Sequence, residues 1–176
     1  ALAVGEELLA GAAEMAYDIL NLSASYHRGR PNLFMFGSVD SFLDADQSLL
    51  DRLERLPYRT SINVGLESFD QETLDRLGKP LQAEKVREAF RKMVAVNRSR
   101  PNIAVSCNFV LGEDLPSRHP ESIKTALATG ATARDRGAVY LSPLIGASHR
   151  REILKEFREI KMSSPLPVFI YMAQRL

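Results

Sequence analysis

The chain has 176 residues, of which 45% are apolar and 26% charged, with a formal net charge of +1. This is the balance of one globular domain with a real core, and it carries no basic footprint for nucleic acid or a membrane surface. No apolar run approaches the roughly 20 residues of a membrane helix, and a single cysteine, Cys107, excludes an internal disulfide or a multi-cysteine metal site.

A cytoplasmic location is the default for such cysteine usage. The sequence does not begin with Met, so a piece of a longer polypeptide is expected. Taken in order, apolar spacing predicts a helix over Glu6 to Leu22, then a basic linker from Ser23 to Pro31. Asn32 to Gly37 reads as a short strand. Its core, Leu33-Phe34-Met35-Phe36, is continuously apolar, as in a parallel strand buried on both faces. Gly37 to Ser41 reads as a loop and Ala45 to Leu56 as a helix. Ser61 to Glu67 alternates as a strand, and Asp70 is a good N-cap for the helix that follows. Ala83 to Val96 is a helix, Asn102 to Leu111 a strand, and Gly112 to Pro120 a loop. Glu121 to Asp135 is a helix, Ala138 to Leu144 a strand, Gly146-Ala147-Ser148 a loop, His149 to Lys161 a helix, and Val168 to Met172 a last strand.

Five strands alternating with helices imply an α/β fold with a parallel sheet. Two strands say more. Ile62, Val64 and Leu66 share one face, while Ser61, Asn63, Gly65 and Glu67 share the other. Ile103, Val105, Cys107, Phe109 and Leu111 oppose Ala104, Ser106 and Asn108 in the same way. A sheet covered on both faces should be apolar on both. The split therefore favours a partial TIM-like barrel with a polar lumen over a flat doubly wound sheet. The whole of 1–176 reads as one domain.

Functional residues are sought at the carboxyl ends of such strands. Glu67 ends a strand and fits either a ligand contact or a capping carboxylate for the next helix. Asn108 could bond a ligand or neighbouring backbone. Ser38 and Asp40 lie just past a strand, where short loops are rich in both residues anyway. Glu113 and Asp114 read as solvated. His27, His119 and His149 fall in polar loops or helix starts and form no metal-ligand pattern. Cys107 lies on the apolar side of its strand and reads as core. There is no phosphate-binding loop and no nucleophile elbow.

The run Ile62-Asn63-Val64-Gly65-Leu66-Glu67-Ser68-Phe69-Asp70, followed by Leu74 and Leu77-Gly78-Lys79-Pro80, resembles the fourth-strand segment of radical S-adenosylmethionine enzymes. The likeness is greatest to the branch of oxygen-independent coproporphyrinogen oxidases, Elongator-like proteins and methylthiotransferases. Asn108-Phe109-Val110-Leu111-Gly112, then Leu115-Pro116, is similar to the fifth-strand pattern ending in Gly-Leu-Pro, with Glu113 and Asp114 inserted. The resemblance covers roughly Asn32 to Pro116. By strand order Asn32 to Gly37 would be the third strand, and the chain would be the back half of the barrel.

The resemblance implies S-adenosylmethionine and a 4Fe–4S cluster in the parent protein, with deoxyadenosyl-radical chemistry of an oxidoreductase kind. The family's three-cysteine loop is absent, so no cluster, metal ligand or catalytic residue is expected here, and the fragment alone is expected to be inactive. The cofactor-binding residues implied are Glu67, Asn108, Ser68, Asn63, Ser38 and Asp40. Two other readings stay open: a non-catalytic scaffold or interaction module, and an unrelated barrel enzyme using Glu67 as general base. The uncharged strand Leu33 to Phe36, if it is the sheet's first, would be an unprotected edge and a site of self-association.

Overall fold

The structure, a computed structural model, describes residues 2–4, 14–144 and 150–171. Six parallel strands form one sheet whose spatial order repeats the chain order. They are β1 (Leu2–Val4), β2 (Asn32–Gly37), β3 (Arg59–Glu67), β4 (Ile103–Leu111), β5 (Val139–Pro143) and β6 (Val168–Ile170). Between them run α1 (Glu14–Ala24), α2 (Val39–Asp44), α3 (Gln47–Arg55), α4 (Gln71–Arg76), α5 (Ala83–Ser99), α6 (Arg118–Gly130) and α7 (Arg150–Ser163). The fold is the expected α/β partial barrel. It has one strand beyond the expected five, β1, which precedes the predicted helix Glu6 to Leu22. The loop at 146–148, the beginning of the first predicted helix and Met172 lie outside the described residues.

The helices cover one face of the sheet. Leu33 and Met35 of β2, Ile62, Val64 and Leu66 of β3, and Val105, Cys107 and Phe109 of β4 are buried in one cluster. It includes Leu50 and Leu53 of α3, Phe90 and Met93 of α5, and Ile123 and Leu127 of α6. On β3 and β4, every second residue is buried and the residues between are half-buried or exposed. The alternation read from the sequence is thus the alternation of two real faces.

Three expectations change. β2 is not buried on both sides, since Phe34 and Phe36 are 42% and 57% exposed on the uncovered face. Nor is β2 the edge, because β1 pairs with it through Leu2–Leu33, Ala3–Phe34 and Val4–Met35. The segment read as a loop after β2 is the short helix α2. Ser38 caps it in a reciprocal pair with Ser41, a Ser-x-x-Ser variant of the usual capping signature that ends in Glu or Gln.

One polar side chain extends the sheet. β4 meets β5 only from Cys107 onward, so Val105 has no strand partner on that side. Asn97 of α5 takes the place of one: its Oδ1 accepts from the Val105 amide at 2.7 Å, and its Nδ2 donates to the Val105 carbonyl at 2.8 Å. Among the described residues no helix is long and apolar enough to cross a membrane.

Candidate functional site

The uncovered face of β2 to β5 forms an open hollow of about 860 Å³, within the usual range for a small-molecule site. Its floor is Ser61, Asn63 and Gly65 from β3 with Ala104, Ser106 and Asn108 from β4. Its flanks are aromatic, with Phe34 and Phe36 on one side and Tyr140 and Tyr171 on the other. The Tyr140 ring stacks on Tyr171 at 5.0 Å between centroids and on Phe169 at 5.6 Å. Polar atoms on the floor are only partly spoken for. Asn63 donates to Ser106 at 3.1 Å, and Ser106 donates to the Ile62 carbonyl at 3.3 Å. Among the described residues the Asn108 side-chain amide makes no hydrogen bond.

Glu67 stands at the rim, and the backbone is distorted to put it there. Gly65 pairs with Asn108 but Glu67 pairs with Phe109, a bulge at the end of β3. Glu67 has φ 63°, the single positive φ outside glycine among the described residues. The Ser68 amide donates to the Leu66 carbonyl at 2.7 Å, closing a tight turn around Glu67. A three-residue turn with positive φ at its centre is rare and strained, and a non-glycine residue there costs on the order of 1–3 kcal/mol. The turn folds the carboxylate back over Gly65. A β-carbon at Gly65 would lie 3.1 Å from Glu67 Oε1 and 4.0 Å from Asn108 Oδ1, so these two side chains share one patch of the floor.

Lys79 supplies the counter-charge, its Nζ lying 3.4 Å from Glu67 Oε1. The intervening sequence explains how it returns. Asp70 caps α4 by accepting from the Thr73 amide at 2.9 Å. The helix ends with Gly78 at φ 63°, where the Gly78 amide bonds the Asp75 carbonyl and the Lys79 amide the Leu74 carbonyl. That is a Schellman turn, and it sends Lys79 back toward the strand end. The Gly-Lys pair noted in the sequence therefore serves Glu67. The capping role considered for Glu67 falls to Asp70.

The six sequence-predicted residues divide. Asn63 and Asn108 line the floor and Glu67 overhangs it. Ser68 does not join them: it is fully buried, and its hydroxyl meets His119 Nδ1 at 2.8 Å. Ser38 is taken up in capping α2, and Asp40 is exposed and pairs with Lys85 at 2.8 Å. All three follow the last ladder pair of their strands, where alternation no longer assigns a residue to either face.

His119 went unrecognised in the sequence. It is buried in the first turn of α6, and Nε2 lies 2.8 Å from the Val110 carbonyl. A carbonyl only accepts, so Nε2 carries the proton and Nδ1 accepts from the Ser68 hydroxyl. Burial pushes the His119 pKa below its ordinary value, against the opposing pull of the Val110 bond and the Asp70 charge. Burial raises the Asp70 carboxyl, but its bonds from Thr73 and the adjacent Arg118 guanidinium outweigh this and leave it below the ordinary 3.8. The two residues opening α6, Arg118 and His119, thus grip the β3–α4 turn: Arg118 Nε is 2.6 Å from Asp70 Oδ1.

The donor set does not fit an iron–sulfur cluster. One thiol cannot replace three, and Cys107 is fully buried on the helix side, where burial pushes its pKa far up. Among the described residues no group of three or more His, Cys, Asp or Glu is placed to hold a metal ion.

No protein-family model matches the chain, and no curated protein matches it. Among solved structures it is similar to a domain of a pyruvate-formate lyase-activating enzyme from Bacteroides vulgatus ATCC 8482. The TM-score is 0.66 at 15% sequence identity, over 98% of this chain and 100% of that one. At that identity the likeness establishes the fold: a parallel, helix-backed partial barrel.

Proposed function

We propose that the chain forms one wall of the cofactor and substrate lumen of a radical S-adenosylmethionine enzyme, with any cluster held by another segment or subunit. The observation that carries this reading is the bulged, positive-φ turn that lays the Glu67 carboxylate over Gly65, which the unbonded Asn108 side-chain amide also borders, on an open, polar-floored hollow. Strain and bulges of this kind collect at functional sites. The structural neighbour is an activating enzyme of that superfamily, and the strand-end motifs resemble the superfamily's own.

The residues fit S-adenosylmethionine, which when bound to a reduced cluster supplies a radical in this family. Glu67 offers a carboxylate to a sulfonium or ammonium group. Asn63, Asn108 and Ser106 offer donors and acceptors to ribose hydroxyls, and Tyr140, Tyr171 and Phe36 offer faces to a purine. No step of the parent's chemistry is assigned to this chain, whose part is to bind and orient. The narrower likeness to the coproporphyrinogen oxidase branch, and cytoplasmic residence, belong to this same reading.

Calorimetric titration of the chain with S-adenosylmethionine is the test. Saturable binding is expected, weakened about tenfold or more by Glu67→Gln and by Asn108→Ala, since a charged hydrogen bond is worth about 1.5–3 kcal/mol. Binding untouched by both substitutions, or none at millimolar ligand, would remove the proposal and leave a scaffold built on the same fold.

A further inference from the structure

We propose that His119 is a positioning residue for Glu67: by holding the Ser68 hydroxyl it keeps the strained turn that aims the carboxylate over the hollow. This rests on the reading of Glu67 as a ligand contact.

A turn with positive φ at a glutamate persists only where its surroundings over-determine it. The Ser68-to-Leu66 bond closes the turn from within. From outside, the hold on Ser68 is His119. The Ser68 oxygen also accepts from the Asp70 amide at 2.9 Å. Its single proton has two acceptors in reach, His119 Nδ1 at 2.8 Å and the Asp70 carbonyl at 3.3 Å, and the closer one takes it.

The same ring answers a second need that the bulge creates. Alternate residues of a parallel strand bond to opposite neighbours. Cys107 and Leu111 bond toward β5, through the Ala138 carbonyl and the Leu144 amide. Val110, one residue out of phase, therefore turns its carbonyl toward β3. There the chain has already left the ladder, because the last registered pair is Glu67 with Phe109. His119 Nε2 takes that carbonyl. One imidazole thus spans the gap between two strand ends, bonding the strand that stops and the residue that turns away. A buried histidine serving packing alone would need no such pairing of partners.

The two nitrogens can be separated. His119→Asn places an amide oxygen near the Nδ1 position and retains an acceptor for Ser68. His119→Gln places its amide near the Nε2 position and retains a donor for Val110. Each keeps one bond and loses the other, so a purely structural role predicts similar losses. The proposal predicts that His119→Gln weakens S-adenosylmethionine binding about tenfold, as Glu67→Gln does. His119→Asn should stay within about twofold of the unmodified chain, and Ser68→Ala should follow His119→Gln. In a Glu67→Gln background His119→Gln should cost nothing further, because both act through one carboxylate. Equal losses for Asn and Gln, or full additivity with Glu67→Gln, would overturn it.

A second measurement does not depend on the ligand. Amide exchange at Glu67 and Ser68 is expected to speed up in His119→Gln and not in His119→Asn. If the unmodified chain fails to bind S-adenosylmethionine, the functional reading falls while this measurement still decides the role of His119. An unaltered turn in His119→Gln would defeat it even if binding is found.

Discussion

The carboxylate of Glu67 occupies the space above Gly65, two residues earlier on the same strand, where a β-carbon would stand 3.1 Å from Oε1. Gly65 is not in the left-handed region, so alanine there meets no backbone penalty. It should even stabilise the fold slightly, by about 0.4–1 kcal/mol, through the unfolded chain. What must yield is the end of the Glu67 side chain. Gly65→Ala is therefore expected to weaken ligand binding severalfold while the urea midpoint stays or rises. A fall in stability with unchanged binding would show that the glycine serves the strand and not the carboxylate.

His119 gives a pH signature. Its pKa is depressed in the folded chain by burial, so the unfolded state binds the proton first as pH falls. The stabilisation is complete above the ordinary value of 6.5 and is lost as pH drops from there toward the depressed value. Asp70, which faces the ring, pulls the other way, but its own pKa is lowered and its charge is paired with Arg118. Urea unfolding at pH 7 and at pH 5 should show a larger loss in the unmodified chain than in His119→Gln. Equal losses would mean that the ring does not titrate between the two states.

Asn97→Ala should be among the most damaging single changes in α5. It leaves the Val105 amide and carbonyl buried without partners, and each orphaned group costs about 1–3 kcal/mol. A loss of roughly 2–4 kcal/mol in chemical unfolding is expected. A loss under about 0.5 kcal/mol would mean that water replaces the side chain.

The sequence showed the middle of this molecule more clearly than its margins. β3 and β4 carry strict two-residue alternation over nine residues each, and Asp70 carries an N-cap signature, so strands, faces and the Asn63–Asn108 floor could be read directly. Phe34 and Phe36 defeated the reading because an aromatic ring lining a ligand hollow has the same hydropathy as one in a core. β1 is three residues long, too short for any period to register. His119 stayed hidden because its partners come from elsewhere in the chain. Ser68 is 51 positions away, and only the bulge makes the Val110 carbonyl available. Local pattern reports what a residue prefers, while burial of a polar group depends on what arrives from other elements.

We propose that β1 guards the sheet against self-association. With that strand in place, Leu33 to Met35 already have a ladder partner on that side. Deleting residues 1–4 uncovers an apolar edge free of charge and proline, the arrangement that invites pairing with another chain. Sedimentation should show mass rising with concentration in the deletion and less so in the intact chain. Identical behaviour of the two would place any association elsewhere.

Because each strand pairs with the next one in the chain, the sheet has a simple assembly logic. Each ladder still joins strands separated by a helical crossover, so every pairing carries a loop-closure cost. The longest ladder lies between β3 and β4, with further units laid against it on both sides. No strand has to be threaded between two that are already joined. Growth at a margin leaves finished pairs undisturbed, so such a sheet can be lengthened or divided at its sides without redrawing its connections.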